Sequence, residues 1–292
     1  MFSRSRRPES VLFHTNTLVS NGYNYKNSRM SIFFSCNNLL NTDKFRIFAF
    51  ELKNTKVMQE IPMHIGGIPI IWIIIGVLAL ASWLVSNSLK RKFAKYSQIP
   101  VNNGLTGRDV VEKMLRENDI RDVQISCIGG QLTDHYNPVT KQINLSKEVY
   151  YGSNVAAAAV AAHEAGHAIQ HEQAYLWLGL RSKLVPVVSF SSRYIMWVLL
   201  AGILMVQTFP NLLLVGIIMF AMTTLFSFVT LPVEIDASKR ALAWLSTNNI
   251  TTPSNHHHAQ SALRSAAWTY VIAALSSLAT LLWYIQIFLS RR

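Results

Sequence analysis

Charged residues are scarce in this chain. Asp, Glu, Lys and Arg make up only 14% of its 292 residues, whereas hydrophobic residues make up 50%. A typical soluble domain carries about 25% charged residues. The composition therefore argues against an ordinary soluble protein and indicates a chain that lies largely in a membrane.

Acidic residues are the rarer charged class, with 15 Asp and Glu against 27 Lys and Arg, so the formal net charge is +12. Such an excess is also typical of nucleic-acid-binding proteins. Here, however, the basic residues cluster beside long apolar stretches, without interleaved aromatic residues or a known binding motif. We therefore expect the lipid bilayer as a partner and no nucleic acid.

Cysteine is almost absent as well. The chain has two cysteines, Cys36 and Cys127, and no C-x-x-C pair. This number excludes a disulfide framework and a cysteine-based metal site, and it agrees with a reducing compartment.

Four apolar stretches are long enough to cross about 30 Å of hydrocarbon, which takes about 20 helical residues. They cover residues 68–85, 194–209, 212–231 and 268–289, and the second can be extended backward to Leu184. Because Phe209-Pro210-Asn211 is a tight break, the second and third stretches should form a hairpin. The sequence therefore predicts a mainly α integral membrane protein with about four transmembrane helices.

Basic residues flank these stretches and predict the orientation of the chain, since Lys and Arg are enriched on the cytoplasmic side. The first span should run from outside to inside, the hairpin should enter from the cytoplasm, and the fourth span should run outward. Arg291-Arg292 then falls outside. The flanking clusters are Lys90, Arg91, Lys92 and Lys95 after the first span, Arg181, Lys183 and Arg193 before the second, and Lys239 and Arg240 after the third.

Residues 1–62 differ from the rest, because they are polar, basic and rich in Asn and Ser. No apolar stretch with a small-residue cleavage site precedes Met63, so a signal peptide is not indicated. We expect either a disordered tail or sequence upstream of a true start near Met58 or Met63. A basic tail would oppose an outside N-terminus, so we favour the latter.

Residues 96–183 lie between the first two spans and predict a small α+β region. Thr106 should cap an amphipathic helix. Three alternating segments follow, at 123–128, 131–136 and 141–145, and they are separated by Gly129-Gly130 and by a turn at Asn137-Pro138. We interpret them as a short, mostly antiparallel sheet.

The segment His163-Glu-Ala-Gly-His167 has the pattern H-E-x-x-H. It follows an Ala-rich helical stretch for which Ser153 is a candidate N-cap. Residues at i and i+4 share a helix face, so the two imidazoles can bind one Zn²⁺, and Glu164 is placed to act on a metal-bound water. The bare pattern also occurs in unrelated helices, so the site needs a further ligand.

Glu234 is the best candidate for a third ligand, because it lies where the third span leaves the membrane, level with a catalytic helix on the membrane surface. His171 continues the row, but a rise of ~1.5 Å per residue places it about 12 Å from His163 along the axis. The longer motif H-E-x-x-H-x-x-G-x-x-H is absent, since position 173, where its third histidine would stand, is glutamine. His256-His257-His258 come directly after Thr-Thr-Pro-Ser-Asn and are expected to lie in the same loop, solvated and not bound to the metal.

Three motifs together resemble the YugP-type family of bacterial membrane zinc metallopeptidases. They are the segments 132–138, 163–171 and 231–238, and the resemblance covers about residues 67–290. It implies a multi-pass protein of the bacterial inner membrane with one zinc, in which His163, His167 and Glu234 match the ligands and Glu164 matches the base.

The layout is also distantly similar to that of HtpX-type proteases, which place an Asp four residues after the glutamate ligand. Here Ser238 stands at that position and Asp236 at +2. We therefore expect Asp236 to miss the ligand histidines and Ser238 to form the weaker hydrogen bond.

These motifs divide the chain into regions with distinct expected roles. The 96–183 region is expected to be cytoplasmic and zincin-like. The sequence leaves two readings open for Asp134-His135-Tyr136, an edge strand that faces the metal or an ordinary hairpin with solvated polar residues. The remaining divisions are 63–95 for the first span and its basic flank, 184–232 for the hairpin, 233–265 for an amphipathic helix with the third ligand and a loop, and 266–292 for the last span.

The expected activity is zinc-dependent hydrolysis of protein or peptide substrates. An oxyanion-stabilising side chain should exist as well, with His135, Tyr136 and Arg240 as open candidates. The alternatives are an inactive zinc-binding scaffold or adaptor and a metal transporter. A purely structural zinc site gives no reason for a carboxylate at Glu164. A transporter is expected to carry ionisable residues within its spans, and the four apolar stretches contain essentially none.

Overall fold

The computed structural model describes residues 64–65 and 68–290. The predictions for residues 1–62 and for Arg291-Arg292 lie outside these described residues. The fold is mainly helical, with a short β-hairpin before the first long helix and a small sheet after it. In chain order the elements are β1 His64–Ile65, β2 Ile68–Pro69, α1 Ile70–Tyr96, α2 Gly107–Glu117, β3 Gln124–Ile128, β4 His135–Asn137, β5 Gln142–Ser146, α3 Lys147–Tyr150, α4 Val155–Glu172, α5 Leu176–Leu204, α6 Pro210–Thr247 and α7 His256–Leu289.

Helices α1, α5, α6 and α7 are each long and apolar enough to cross a membrane, so the predicted four spans are confirmed. Each helix extends well beyond its predicted apolar stretch at one end, whereas α5 ends at Leu204, before the predicted end at residue 209. Helix α6, for example, runs through Thr247, although its apolar stretch ends at residue 231. Arg181, Lys183 and Arg193 therefore lie inside α5, not before it. The apolar stretch marks the hydrocarbon length, whereas the backbone continues as helix beyond it.

The four long helices pack in a row, with α5 against α6, α6 against α7, and α7 against α1. The α5–α6 hairpin was predicted. Its turn ends at Phe209, and Pro210 opens α6 in the first turn, where a missing N–H costs nothing. A Cβ at Gly202 would lie 2.6 Å from Leu213 Cα, so glycine lets the two helices approach closely just before the turn.

The opposite end of the row meets the region built from α2, α3, α4 and the sheet. There Lys92 Nζ donates to Ser265 Oγ at 2.6 Å, and the Tyr96 ring lies 4.8 Å from the His258 ring. His256-His257-His258 form the first turn of α7, so their placement in a loop was wrong. The Thr252 amide donates to Asn255 Oδ1 at 2.7 Å, and this local turn ends just where the helix begins.

The sheet has three strands in the order β3-β5-β4 and is mixed. Strand β4 pairs with β5 in antiparallel fashion, whereas β3 pairs with β5 in parallel. The predicted antiparallel pairing across the Asn137-Pro138 turn is confirmed, whereas the predicted hairpin at Gly129-Gly130 was wrong. The chain leaves β3 through Gly130, whose φ is +100°, and passes over the end of β5 before β4 begins. Asp134 holds this connection, since its carboxylate accepts hydrogen bonds from Ser146 N at 2.7 Å and Ser146 Oγ at 3.2 Å.

Helix α4 lies at the centre of this region and is buried along nearly its whole length. It packs against α2, α6, α7 and the sheet. Its alanines leave room for neighbours on every side. Asn154 caps it, because its side chain accepts from Ala157 N at 2.9 Å, so the expectation of Ser153 as N-cap was wrong. The predicted cap at Thr106 is confirmed, and in the structure it forms a capping box with Asp109.

Candidate metal centre

His163 and His167 lie one turn apart on the face of α4 that packs against α6, and their rings are 4.7 Å apart. Glu234 of α6 enters between them. Its Oε2 lies 3.2 Å from His163 Nε2 and 3.6 Å from His167 Nε2. The donor atoms of these three residues all lie within 4.8 Å of one another. The packing of two helices therefore brings together the three side chains that the sequence singled out.

The distances from Glu234 to the two imidazoles fit zinc coordination. Tetrahedral coordination with bonds of 2.0–2.2 Å separates neighbouring ligand atoms by about 3.3 Å. The observed nitrogen to oxygen distances are 3.2 and 3.6 Å. Two imidazole nitrogens with one carboxylate oxygen also form a donor set found in catalytic zinc sites, which leave one position for water. His171, as expected, lies apart from this group and contacts Tyr136 Oη at 2.8 Å through Nδ1.

Gly166 permits the close approach of α4 and α6. A Cβ at this position would lie 2.9 Å from the backbone oxygen of Ala237, which cannot move away as a flexible side chain could. The second variable position of the H-E-x-x-H segment is therefore restricted by packing. Sequence reasoning had treated Gly166 only as spacing.

Each of the three donor residues contacts a further side chain with its remaining polar atom. Ser238 Oγ lies 3.2 Å from His163 Nδ1, the hydrogen bond that the sequence predicted for this serine. Arg181 Nη1 lies 3.4 Å from Glu234 Oε1. From the sequence, Arg181 was expected on the cytoplasmic flank of a span, but in the structure Arg181 is only 7% exposed. No spacing rule links positions 181 and 234, so only the fold reveals this pair.

His167 has its own partner in Gln170, whose Oε1 lies 3.0 Å from His167 Nδ1. Gln170 Nε2 in turn donates to Asp236 Oδ2 at 2.7 Å. Asp236 thus reaches Gln170 and not a ligand histidine, in line with the sequence expectation. Sequence reasoning missed Gln170, although its spacing of three from His167 places the two side chains on one helix face.

Glu164 lies against the edge strand of the sheet. Its residue is 6% exposed, and its Oε2 accepts a hydrogen bond from the backbone amide of Tyr136 at 2.8 Å. The segment containing Tyr136 therefore faces the site. Nearby, burial raises the pKa of Asp134 to about 6, and the charge of Glu164 adds to this increase while the hydrogen bonds from Ser146 oppose it.

A narrow cleft borders the candidate site between β4, α4 and the first turns of α5. Of the three candidate oxyanion-stabilising residues, Tyr136 lines this cleft. His135 contacts Thr133 O through Nδ1 at 2.8 Å, and Arg240 donates to Asp236 Oδ2 at 2.6 Å. The cleft-lining residues include Tyr136, Pro138, His167, Leu178, Arg181 and Val185.

Comparisons with known proteins agree with this geometry. Residues 71–289 match the family described as "Putative neutral zinc metallopeptidase". The chain is 39% identical over 222 residues to the "Putative membrane protease YugP" of Bacillus subtilis (strain 168), an alignment that covers 76% of this chain and 97% of the relative. No solved structure matches the chain. Because both matches extend over most of the chain, it belongs to this family of neutral zinc metallopeptidases, and Zn²⁺ is its cofactor.

Proposed function

We propose that the protein is a membrane-embedded zinc endopeptidase of the gluzincin type, with a zincin-like catalytic region. His163, His167 and Glu234 hold the zinc, and Glu164 is the general base. The position of Glu234 Oε2, within 3.6 Å of both imidazole Nε2 atoms, is the observation that carries this proposal. Glu164 supports hydrolysis over a purely structural role, because a structural site has no use for a second carboxylate that does not bind the metal.

Zinc, when bound, lowers the pKa of a coordinated water to about 7 and polarises the carbonyl of the scissile peptide. Glu164 accepts a proton from the attacking water and passes it to the nitrogen of the leaving amine. The Tyr136 amide orients the Glu164 carboxylate for this transfer. Of the three oxyanion candidates, we favour Tyr136, because it lines the cleft next to His167.

We propose that the catalytic region faces the cytoplasm of a bacterial cell, at the inner membrane. The α5–α6 turn lies at one end of the helix row, and the candidate site lies at the other. Basic residues concentrate at the end that carries the site, which the positive-inside rule assigns to the cytoplasm. The substrates are proteins or peptides that reach the cleft from that side.

The mechanism is tested by Glu164→Gln in the full chain, purified in detergent. The amide keeps the shape of the side chain but cannot act as a base, so hydrolysis of an unfolded protein substrate should fall by about 10² to 10⁴. Zinc content, measured by metal analysis, should stay at one per chain. If wild-type protein with full zinc cleaves nothing across a broad peptide library, and Glu164→Gln still complements a deletion strain, the protein is an adaptor.

Orientation is tested by labelling single cysteines in intact cells and in inverted vesicles. Cys127 is exposed on the sheet and can serve as the native probe for the catalytic region. Ser246→Cys and Thr208→Cys, each in a Cys36→Ser and Cys127→Ser background, probe the end of α6 and the hairpin turn. Cys127 and position 246 should label from the cytoplasm, and position 208 from outside. Labelling of 127 and 246 from opposite sides would make the proposed zinc site impossible.

A further inference from the structure

Gln170 is a polar side chain with no exposed surface at the junction of α4 and α6. Its amide makes three contacts with defined partners. Oε1 lies 3.0 Å from His167 Nδ1, whereas Nε2 lies 2.9 Å from Val233 O and 2.7 Å from Asp236 Oδ2. Because water does not reach this position, these protein contacts must satisfy the amide by themselves.

The partners of Gln170 determine which way its amide points. The carbonyl oxygen of Val233 and the carboxylate oxygen of Asp236 can only accept hydrogen bonds, so the nitrogen of the amide must face them. A flipped amide would place its oxygen against two acceptors. Oε1 therefore faces His167, and an oxygen acceptor at that point requires a proton on His167 Nδ1.

A proton on Nδ1 leaves the lone pair of the neutral imidazole on Nε2. This is the nitrogen that lies 3.6 Å from Glu234 Oε2, on the side of the candidate metal site. The contact at His163 is less selective, because the Ser238 hydroxyl can either donate to or accept from Nδ1. The two histidines are therefore held by partners of different kinds.

We propose that Gln170 is a positioning residue that holds His167 in the tautomer presenting Nε2 to zinc, and that Asp236 acts on His167 through Gln170. The inference rests on the proposed zinc site. In many zinc sites a carboxylate contacts the ligand histidine directly. Here the glutamine side chain bridges the gap between that carboxylate and the histidine.

The same amide aligns the two helices that carry the ligands. Its bond to Val233 O contacts the residue immediately before Glu234, and its bond to Asp236 contacts α6 two residues after Glu234. Arg240 orients the Asp236 carboxylate from the next turn, with Nε at 2.6 Å from Oδ2. One side chain of α4 therefore sets both the tautomer of His167 and the position of the α6 segment that carries Glu234.

The test measures zinc dissociation constants by competition with a chromophoric chelator, on the full chain in detergent. Gln170→Met keeps the side-chain length but removes the acceptor and both donors, and it should weaken zinc binding about 10- to 100-fold. Asp236→Ala should cause a smaller loss, and Asp236→Asn a smaller one still, because its oxygen can accept from Gln170. Gln260→Met, at an exposed position of α7, is the matched control and should bind zinc like the wild type.

The double variant Gln170→Met with Asp236→Ala separates a relay from two independent effects. If Asp236 acts through Gln170, the double variant should bind zinc no more weakly than Gln170→Met alone. The visible absorption bands of Co²⁺-loaded Gln170→Met should also shift from those of the wild type, since the ligand geometry changes. Additive losses would overturn the role assigned to Asp236.

The two levels of the proposal fail in different ways. If the wild-type protein binds no zinc, the proposed function itself is wrong. If the wild type binds one zinc and both Gln170→Met and Asp236→Ala bind it within twofold of the wild type, only the positioning role is overturned. Should Gln170→Met fail to fold, the comparison of Asp236→Ala with Asp236→Asn decides, because Asp236 lies at the partly exposed edge of the network.

Discussion

Helices α4 and α6 contribute to the candidate site in opposite ways. Helix α4 supplies His163, Glu164 and His167 within five consecutive positions, and it is a short, Ala-rich helix buried on almost every side. Helix α6 supplies Glu234 alone, 71 positions after His163, from a 38-residue helix that is otherwise a membrane span.

This difference separates local from tertiary causes. The spacing within α4 places two imidazoles on one face in any α-helix of that sequence. Glu234 joins them only because α6 packs on α4 in one register. Gly166 permits that packing, and Gln170 joins the two helices. The first test of the comparison is therefore whether α6 matters to the metal as much as α4 does.

The largest effect is expected for the ligands themselves. Glu234→Ala and His163→Ala should each weaken zinc binding by more than about 100-fold, beyond the loss typical of residues that only contact a ligand. Glu112→Ala, at an exposed position of α2, is the control and should change nothing. Metal analysis after dialysis against a weak chelator measures the effect. Full zinc occupancy in Glu234→Ala would remove α6 from the site.

The next effect concerns the packing of α4 on α6. Gly166→Ala forces a Cβ to within 2.9 Å of Ala237 O, so we expect the variant to lose about 1–3 kcal/mol of stability. Gly179→Ala is a matched helical control on α5, where a Cβ meets no atom within 4 Å and alanine should be neutral or stabilising. Thermal melting in detergent compares them. Equal melting temperatures would show that α4 and α6 can move apart at this point without loss of stability.

A smaller, pH-dependent effect should appear in the sheet beneath α4. Because the pKa of Asp134 is raised from 3.8 to about 6, the folded protein favours the protonated carboxyl. Its contribution to stability is complete below about pH 4 and is lost as the pH rises through about 6. After discounting for its partial exposure, we expect a decrease on the order of 1–2 kcal/mol.

Asp134→Asn tests this expectation, because the amide resembles the protonated carboxyl and does not titrate. Melting temperatures of the wild type should fall between pH 4 and pH 6, relative to those of the variant. Exposed Asp119 on the loop after α2 offers a control, and Asp119→Asn should leave the slope unchanged. If melting temperature depended on pH in the same way in the wild type and in Asp134→Asn, the raised pKa of Asp134 would be contradicted.

The smallest effect sharpens the contrast between the two histidines. Ser238→Ala removes the hydroxyl that contacts His163 Nδ1 at 3.2 Å. A single neutral hydrogen bond contributes about 1 kcal/mol, so the zinc dissociation constant should rise less than about tenfold. The loss should be clearly smaller than that in Gln170→Met. Equal losses in the two variants would show that both histidines depend on their partners to the same degree.

The sequence predicted some tertiary features well and missed others for a common reason. Glu234 could be chosen because zinc needs a third ligand and a carboxylate stood at the membrane edge. The order of the strands could not be chosen, since the Gly129-Gly130 turn fits a hairpin as well as a longer connection. The contact of Asp134 with Ser146, which fastens that connection, depends on strands that are not adjacent along the chain.

Arg181 shows the same limit from another side. As a basic residue at the start of an apolar stretch, it was predicted to mark the cytoplasmic edge of a span, and nothing in its neighbours along the chain points to Glu234. Its partner lies on a different helix, 53 positions away. A charge near a span is typical of an exposed flank, and only packing shows that this guanidinium is buried beside the carboxylate.

By itself the sequence determined the features that depend on local periodicity and composition: four apolar helices, the hairpin at Pro210, and a pair of candidate metal ligands one helical turn apart. Only the tertiary structure decided which strands pair, that Gln170 joins His167 to α6, and that Arg181 lies against Glu234. The physical reason is the range of the interactions. Helical spacing and hydrophobic length act between residues close in the chain, whereas strand order and side-chain partners depend on how distant segments pack.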